Sequence, residues 1–258
     1  GRGYNRRFLR GRDGKPEPKV YAIVESNEIN RNHLQFFGTH MNNTERTQAQ
    51  TQIEILLNTF TDARECGSIL NVDACDWKKL EQFVEDLGTD GQISFESVGS
   101  EETQENLRNL VRVAKNLGQK YSVVVTNPPY LSNARFSPVL DKYVKQNYAD
   151  VKTDLSMVML NKSISNLSKI DGFVSFITTS SWMTLGSFEK LRKYMLTNTC
   201  IETLVDFGTE LFEGKVGHNP IVAWVNRNTR SVNKKMLAVR LVDFCYSRRG
   251  RKIEEFFL

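Results

Sequence analysis

Tyr121-Ser-Val-Val-Val-Thr-Asn-Pro-Pro-Tyr130 decides how the rest of this chain is read. Three consecutive valines predict a buried, central β-strand, because β-branched side chains suit a pleated surface covered on both faces. Pro128 and Pro129 must end that strand, since neither can donate to a ladder. The sequence therefore predicts an amide, a proline carbonyl and an aromatic ring at the carboxyl end of a strand. In open α/β sheets that edge is where ligands bind.

Those residue types suit one kind of acceptor. The exocyclic amine of adenine is a weak nucleophile, because its lone pair is delocalised into the ring. The Asn127 side-chain oxygen and the Pro128 carbonyl are two acceptors that can hold both amine hydrogens and favour a pyramidal nitrogen, and Pro129 stiffens the arrangement. Tyr130 can stack on a base held outside a duplex. Attack on a methyl sulfonium needs no prior deprotonation, so orientation and electrostatics are expected to carry the rate. A bare strand-terminating turn is the competing reading of the same four residues.

At 258 residues, 40% hydrophobic and 25% charged, the chain can bury a core of one large or two small domains. No apolar run reaches membrane-spanning length and no signal peptide is visible, so a cytoplasmic protein without a membrane partner is expected. Four cysteines (Cys66, Cys75, Cys200, Cys245) lack paired metal-ligand spacing and the three histidines are scattered; reduced thiols and no metal are expected. The net charge of +5 is weakly compatible with a polyanion. Arg6, Arg7, Arg10, Arg12, Lys15 and Lys19 crowd one end, and Arg248, Arg249, Arg251 and Lys252 the other. Each cluster reads as phosphate contacts or as a solvated face.

Periodicity predicts strands at residues 19–26, 68–72, 121–126, 172–178, 201–207, 221–225 and 237–244. Helices are predicted at residues 44–60, with Ile53, Leu56, Leu57 and Phe60 on one face, and after Asp76, with Leu80, Phe83, Val84 and Leu87. Further helices carry Leu107, Leu110, Val111 and Ala114 up to Gly118, follow the Asp154 cap, and span residues 188–196. Residues 88–100 read as a surface loop. Strands alternating with helices predict a largely parallel sheet with helices on both faces.

With the Asn-Pro-Pro-Tyr strand, the Asp154-Leu155 helix start and Gly172-Phe-Val-Ser-Phe-Ile-Thr-Thr-Ser-Ser-Trp182, the chain resembles adenine-specific, amino-methylating DNA methyltransferases. Tyr4-Asn-Arg-Arg-Phe8, Val20-Tyr-Ala-Ile-Val-Glu-Ser-Asn27, Cys66-Gly-Ser-Ile-Leu70 and the run from Trp182 to Leu191 narrow the resemblance to PglX-type enzymes of BREX and phage growth limitation systems. It implies a Rossmann-like methyltransferase sheet, S-adenosylmethionine as cofactor, and double-stranded DNA with a flipped adenine as partner, with other defence-system subunits. Asn127, Pro128, Pro129 and Tyr130 fall on the family's catalytic motif. Phe212 falls on its second base contact, with core packing the competing role. Asp73 falls on an acidic residue that binds the cofactor's adenine, with turn or helix capping the competing role. Trp182 reads as core.

One feature departs from the family. No strand followed by a Gly-x-Gly turn precedes Asn127, and Gly208, Gly214 and Gly217 have the wrong spacing to replace it. With Gly1 in place of Met, the sequence reads as one catalytic-domain piece over residues 1–258. Residues 19–120 precede the motif and residues 121–246 hold the motif strand and the C-terminal half of the sheet. The sheet is expected to lack its first strand and cofactor loop, the target-recognition domain to be absent, and the isolated chain to be inactive. Transfer to RNA bases or protein glutamine, or a non-catalytic DNA-binding scaffold, are the alternatives.

Overall fold

The computed structural model describes residues 19–88, 98–209, 211, 220–230 and 235–242. Both basic clusters except Lys19, most of the predicted loop at residues 88–100, and Phe212 lie outside them.

Five strands form one sheet: β1 (Tyr121–Thr126), β2 (Ser168–Thr179), β3 (Cys200–Gly208), β4 (Ile221–Arg227) and β5 (Leu237–Arg240). Their spatial order is β1-β2-β4-β3-β5. β1 pairs parallel with β2 and β3 parallel with β5, while β4 runs antiparallel to both β2 and β3. Four strands thus point one way and β4 alone is reversed, a largely parallel sheet as periodicity predicts. β2 crosses to β3 through α7 (Glu189–Asn198) and leaves a gap one strand wide, which β4 fills on its way back.

The core is apolar on the face of the sheet that carries Val174, Phe176, Val222 and Trp224, all buried. Trp224 stacks obliquely on Phe176, with centroids 5.6 Å apart, and on Trp182, at 4.7 Å. Trp182 is therefore core, as the sequence suggests. Buried residues of α1 (Asn43–Thr59), α2 (Ala63–Cys66), α3 (Trp77–Glu85), α4 (Ser100–Gly118), α5 (Pro138–Asn147) and α6 (Leu155–Lys162) belong to the same cluster. Ile53, Leu56 and Leu57 of α1, Leu80, Phe83 and Val84 of α3, and Leu107, Leu110, Val111 and Ala114 of α4 are the predicted inward stripes. Asp76 caps α3 by accepting from the Lys79 amide at 3.1 Å.

Three expectations change. β1 is not central: it is an edge of the described sheet. Val123 and Val125 are 57% and 73% exposed, because their side chains point to the face opposite the apolar cluster. Residues 19–26 form no strand and enter no ladder; Ser26 is instead tied to the end of α1, its amide donating to Phe60 O at 3.1 Å. Residues 68–72 turn through a short helix at Gly67–Ile69 rather than pairing, since Tyr143 and Tyr148 capture that backbone.

That capture builds a buried polar knot. Asn71 Oδ1 accepts from Tyr148 Oη at 2.9 Å and from Lys162 Nζ at 2.9 Å, and the Asn71 amide donates to Tyr143 Oη at 2.7 Å. Lys162 is 2% exposed, and burial pushes its amine down from 10.5 to about 8, against the pull of Asp73. Below pH 8 the folded state therefore carries a charge it disfavours, a cost on the order of 3 kcal/mol. Between about 8 and 10.5 the unfolded lysine still holds its proton while the folded one has lost it, so this cost fades as pH rises. Replacing Lys162→Met is expected to raise stability most below pH 8, with the gain shrinking toward pH 10.5. Urea unfolding of both proteins across that range checks it, and a gain independent of pH would contradict it.

Gly172 lets β2 rejoin β1 after the bulge at residues 169–171. A Cβ there would stand 2.9 Å from Lys169 O and 3.1 Å from Ser122 O, both backbone. Gly172→Ala is expected to cost about 1–3 kcal/mol, read from the urea midpoint; an unchanged midpoint would contradict this packing.

Candidate active site

The β1 ladder ends at Thr126, which pairs with Phe176, while β2 runs on to Thr179 against β4. Asn127 leaves the sheet at that step. Its side chain is exposed, Pro128 is buried, Pro129 is exposed and Tyr130 is half-buried. The ring of Tyr130 folds back over the step: its hydroxyl donates to Asn127 Oδ1 at 3.0 Å and lies 3.3 Å from Ile177 O. One proton is shared between two acceptors. Burial raises the phenol's pKa, so it stays a donor at neutral pH. Asn127 Oδ1 keeps a second lone pair, because an amide oxygen has two.

The downstream side of the motif is zipped to the start of α6. Ser132 bridges Asp154, the Leu155 amide donates to Leu131 O at 2.9 Å, and the Asn133 amide donates to Thr153 O at 3.0 Å. Asp154 Oδ1 caps α6 by accepting from the Ser156 amide at 2.8 Å, and it also accepts from Ser156 Oγ. Ser156 Oγ in turn accepts from Thr178 Oγ1 at 3.1 Å. A buried chain of oxygens thus links β2, α6 and the loop behind Tyr130. The motif is held from both sides by structure outside it.

Asn127, Pro128, Pro129 and Tyr130 come together as the sequence predicts. Asp73 does not join them. Val72 lies against Gly118, upstream of β1, and Asp73 lines a cavity of about 640 Å³ with Asn71, Tyr143 and Asn166, the last just before β2. These are the amino ends of the strands, about 20 Å of strand away from Asn127. Asp73 acts electrostatically on Lys162, favouring its protonated form. Ile177 O and the Thr178–Ser156–Asp154 chain are the contributors that sequence reasoning missed. The Asp154 cap was its visible end; the carbonyl has no side-chain signal at all.

With this geometry in place, comparison with known proteins is direct. Residues 26–212 match the family model described as Eco57I restriction-modification methylase. The chain is 31% identical over 211 residues to the adenine-specific methyltransferase BrxX of Escherichia coli O9:H4 (strain HS), covering 80% of this chain and 17% of that protein. It is 34% identical over 160 residues to the adenine-specific methyltransferase PglX of Lacticaseibacillus casei (strain Zhang), covering 61% of this chain and 13% of that protein. The chain thus spans less than a fifth of the length of these relatives. A class I S-adenosylmethionine-dependent methyltransferase structure from Listeria monocytogenes superposes more loosely, at TM-score 0.42 and 15% identity over 71% of this chain and 62% of that one. A strand ending in Asn-Pro-Pro-Tyr, inside a match that runs through most of the described residues, places the chain in the Eco57I restriction-modification methylase family.

Proposed function

We propose that this chain carries the acceptor-base half of an adenine-specific DNA methyltransferase. The observation that supports it most is the Asn127 side-chain oxygen at the end of β1, held by the Tyr130 hydroxyl at 3.0 Å and followed by two prolines; Pro128 O is the proposed second acceptor. An adenine amine set between them gives one hydrogen to each. Its nitrogen lone pair is then drawn out of the ring toward the methyl donor. The Tyr130 ring is the stacking surface for the extruded base, and Phe212 is the proposed second contact. No general base is required before attack; the proton leaves the methylated amine afterwards, to water.

S-adenosylmethionine is the proposed donor, and its chemistry is an electrophilic methyl on sulfur. The described residues do not fit it: no glycine-rich turn follows a strand upstream of β1, and Asp73 sits at the opposite end of the sheet. No step is therefore derived for the donor side. On its own the chain is expected to bind S-adenosylmethionine no tighter than about 100 μM by calorimetry. Tighter binding would show a cofactor cradle that this reading lacks.

Asn127→Ala in the native protein that carries this sequence is expected to lower methyl transfer about 100–1,000-fold, with duplex affinity little changed. Near-normal turnover would sink the clamp. Assays on duplex DNA, RNA and a glutamine-containing peptide separate the alternatives, and transfer to either of the last two in place of DNA would overturn the substrate assignment.

A further inference from the structure

We propose that the loop at residues 183–185, tipped by Met183 and Leu185, is the wedge that enters the base stack when the acceptor adenine leaves it. This rests on the reading of Asn127 and Tyr130 as a clamp for an extruded base. The loop belongs to the same rim: Tyr130 reaches Ile177 O, and the chain passes Thr179 into the turn Ser180–Met183. An isolated exposed leucine is ordinary on a protein surface. Two further observations set this one apart.

The first is rigidity. The Trp182 ring is buried against Trp224, and Arg192 Nη1 donates to both Trp182 O, at 2.8 Å, and Leu185 O. The Thr184 and Leu185 amides donate to Ser181 O at 3.2 and 3.0 Å. The base of the loop is bolted to the core while its tip stays out: Met183 is 37% exposed and Leu185 52%. A flexible tip would lose entropy on insertion; a braced one loses little.

The second is what flanks the clamp. Downstream of Tyr130, the turn Asn133–Arg135 presents Arg135, exposed and without an ion pair among the described residues. The segment after Tyr130 thus offers a cation suited to a phosphate, and the segment after Thr179 an apolar tip suited to a gap between bases. Extruding a base costs the stacking and pairing it leaves behind, and an apolar side chain in the vacated space offsets part of that. Leu185, the more exposed of the two, is the inserting residue; Met183 shields its flank.

The test uses the native protein that carries this sequence, with a duplex in which an adenine faces cytosine and 2-aminopurine is that adenine's 3′ neighbour. The weakened pair makes extrusion independent of a recognition sequence. The wild-type protein is expected to raise 2-aminopurine emission several-fold. Leu185→Ala should cut that rise about threefold or more while duplex affinity changes by less than about threefold, and Leu185→Phe should restore it. An undiminished rise with Leu185→Ala overturns the wedge and leaves the clamp standing. No rise with the wild-type protein overturns both. A rise lost equally in Leu185→Ala and Leu185→Phe also overturns the wedge, since apolar bulk would then be irrelevant.

Discussion

Neighbouring strands of unequal length make this site. Pro128 and Pro129 stop β1 after Thr126, yet β2 carries on for three more residues because β4 supplies it with partners on its other side. The step leaves the Ile177 carbonyl without a β1 partner, and the Tyr130 hydroxyl lies within reach of it while holding Asn127. A longer β1 would bury the amide in the ladder. A shorter β2 would leave the tyrosine without its second acceptor.

The reversed strand matters for the same reason. β4 lies between β2 and β3 and brings Trp224 under Phe176 and Trp182. That aromatic stack fixes the end of β2 and the root of the loop beyond it together. The clamp at Asn127 and the apolar tip at Leu185 therefore share one support. Movement of one relative to the other would require opening a packed core, which is costly.

Much of this was legible in the sequence, and for identifiable reasons. Helices α1, α3 and α4 announce themselves through stripes such as Ile53–Leu57 and Leu107–Ala114, and Asp76 and Asp154 mark the starts of α3 and α6 with local hydrogen bonds. The end of β1 was equally plain, since proline's missing donor is a local property. Misreadings came where partners decide. Residues 19–26 alternate like a strand, but no ladder receives them, and residues 68–72 are held by tyrosines about 70 residues downstream. Three valines suggested burial on both faces, yet Val123 and Val125 face away from the only apolar cluster found among the described residues. Asp73 illustrates the limit for function: an acidic residue near a turn suits several roles, and its local sequence does not choose among them.

The central claim is that Asn127 Oδ1 and Pro128 O together grip an exocyclic amine. Carbon-13 chemical shifts of the Asn127 side-chain carbonyl and the Pro128 carbonyl, followed while adenosine or inosine is titrated into the chain, test it most directly. Inosine keeps the purine ring and its stacking but carries an oxygen where adenosine carries the amine. The account predicts that both carbonyls shift together with adenosine and stay still with inosine. Equal shifts with the two nucleosides would mean that the end of β1 recognises a ring rather than an amine, and would contradict it.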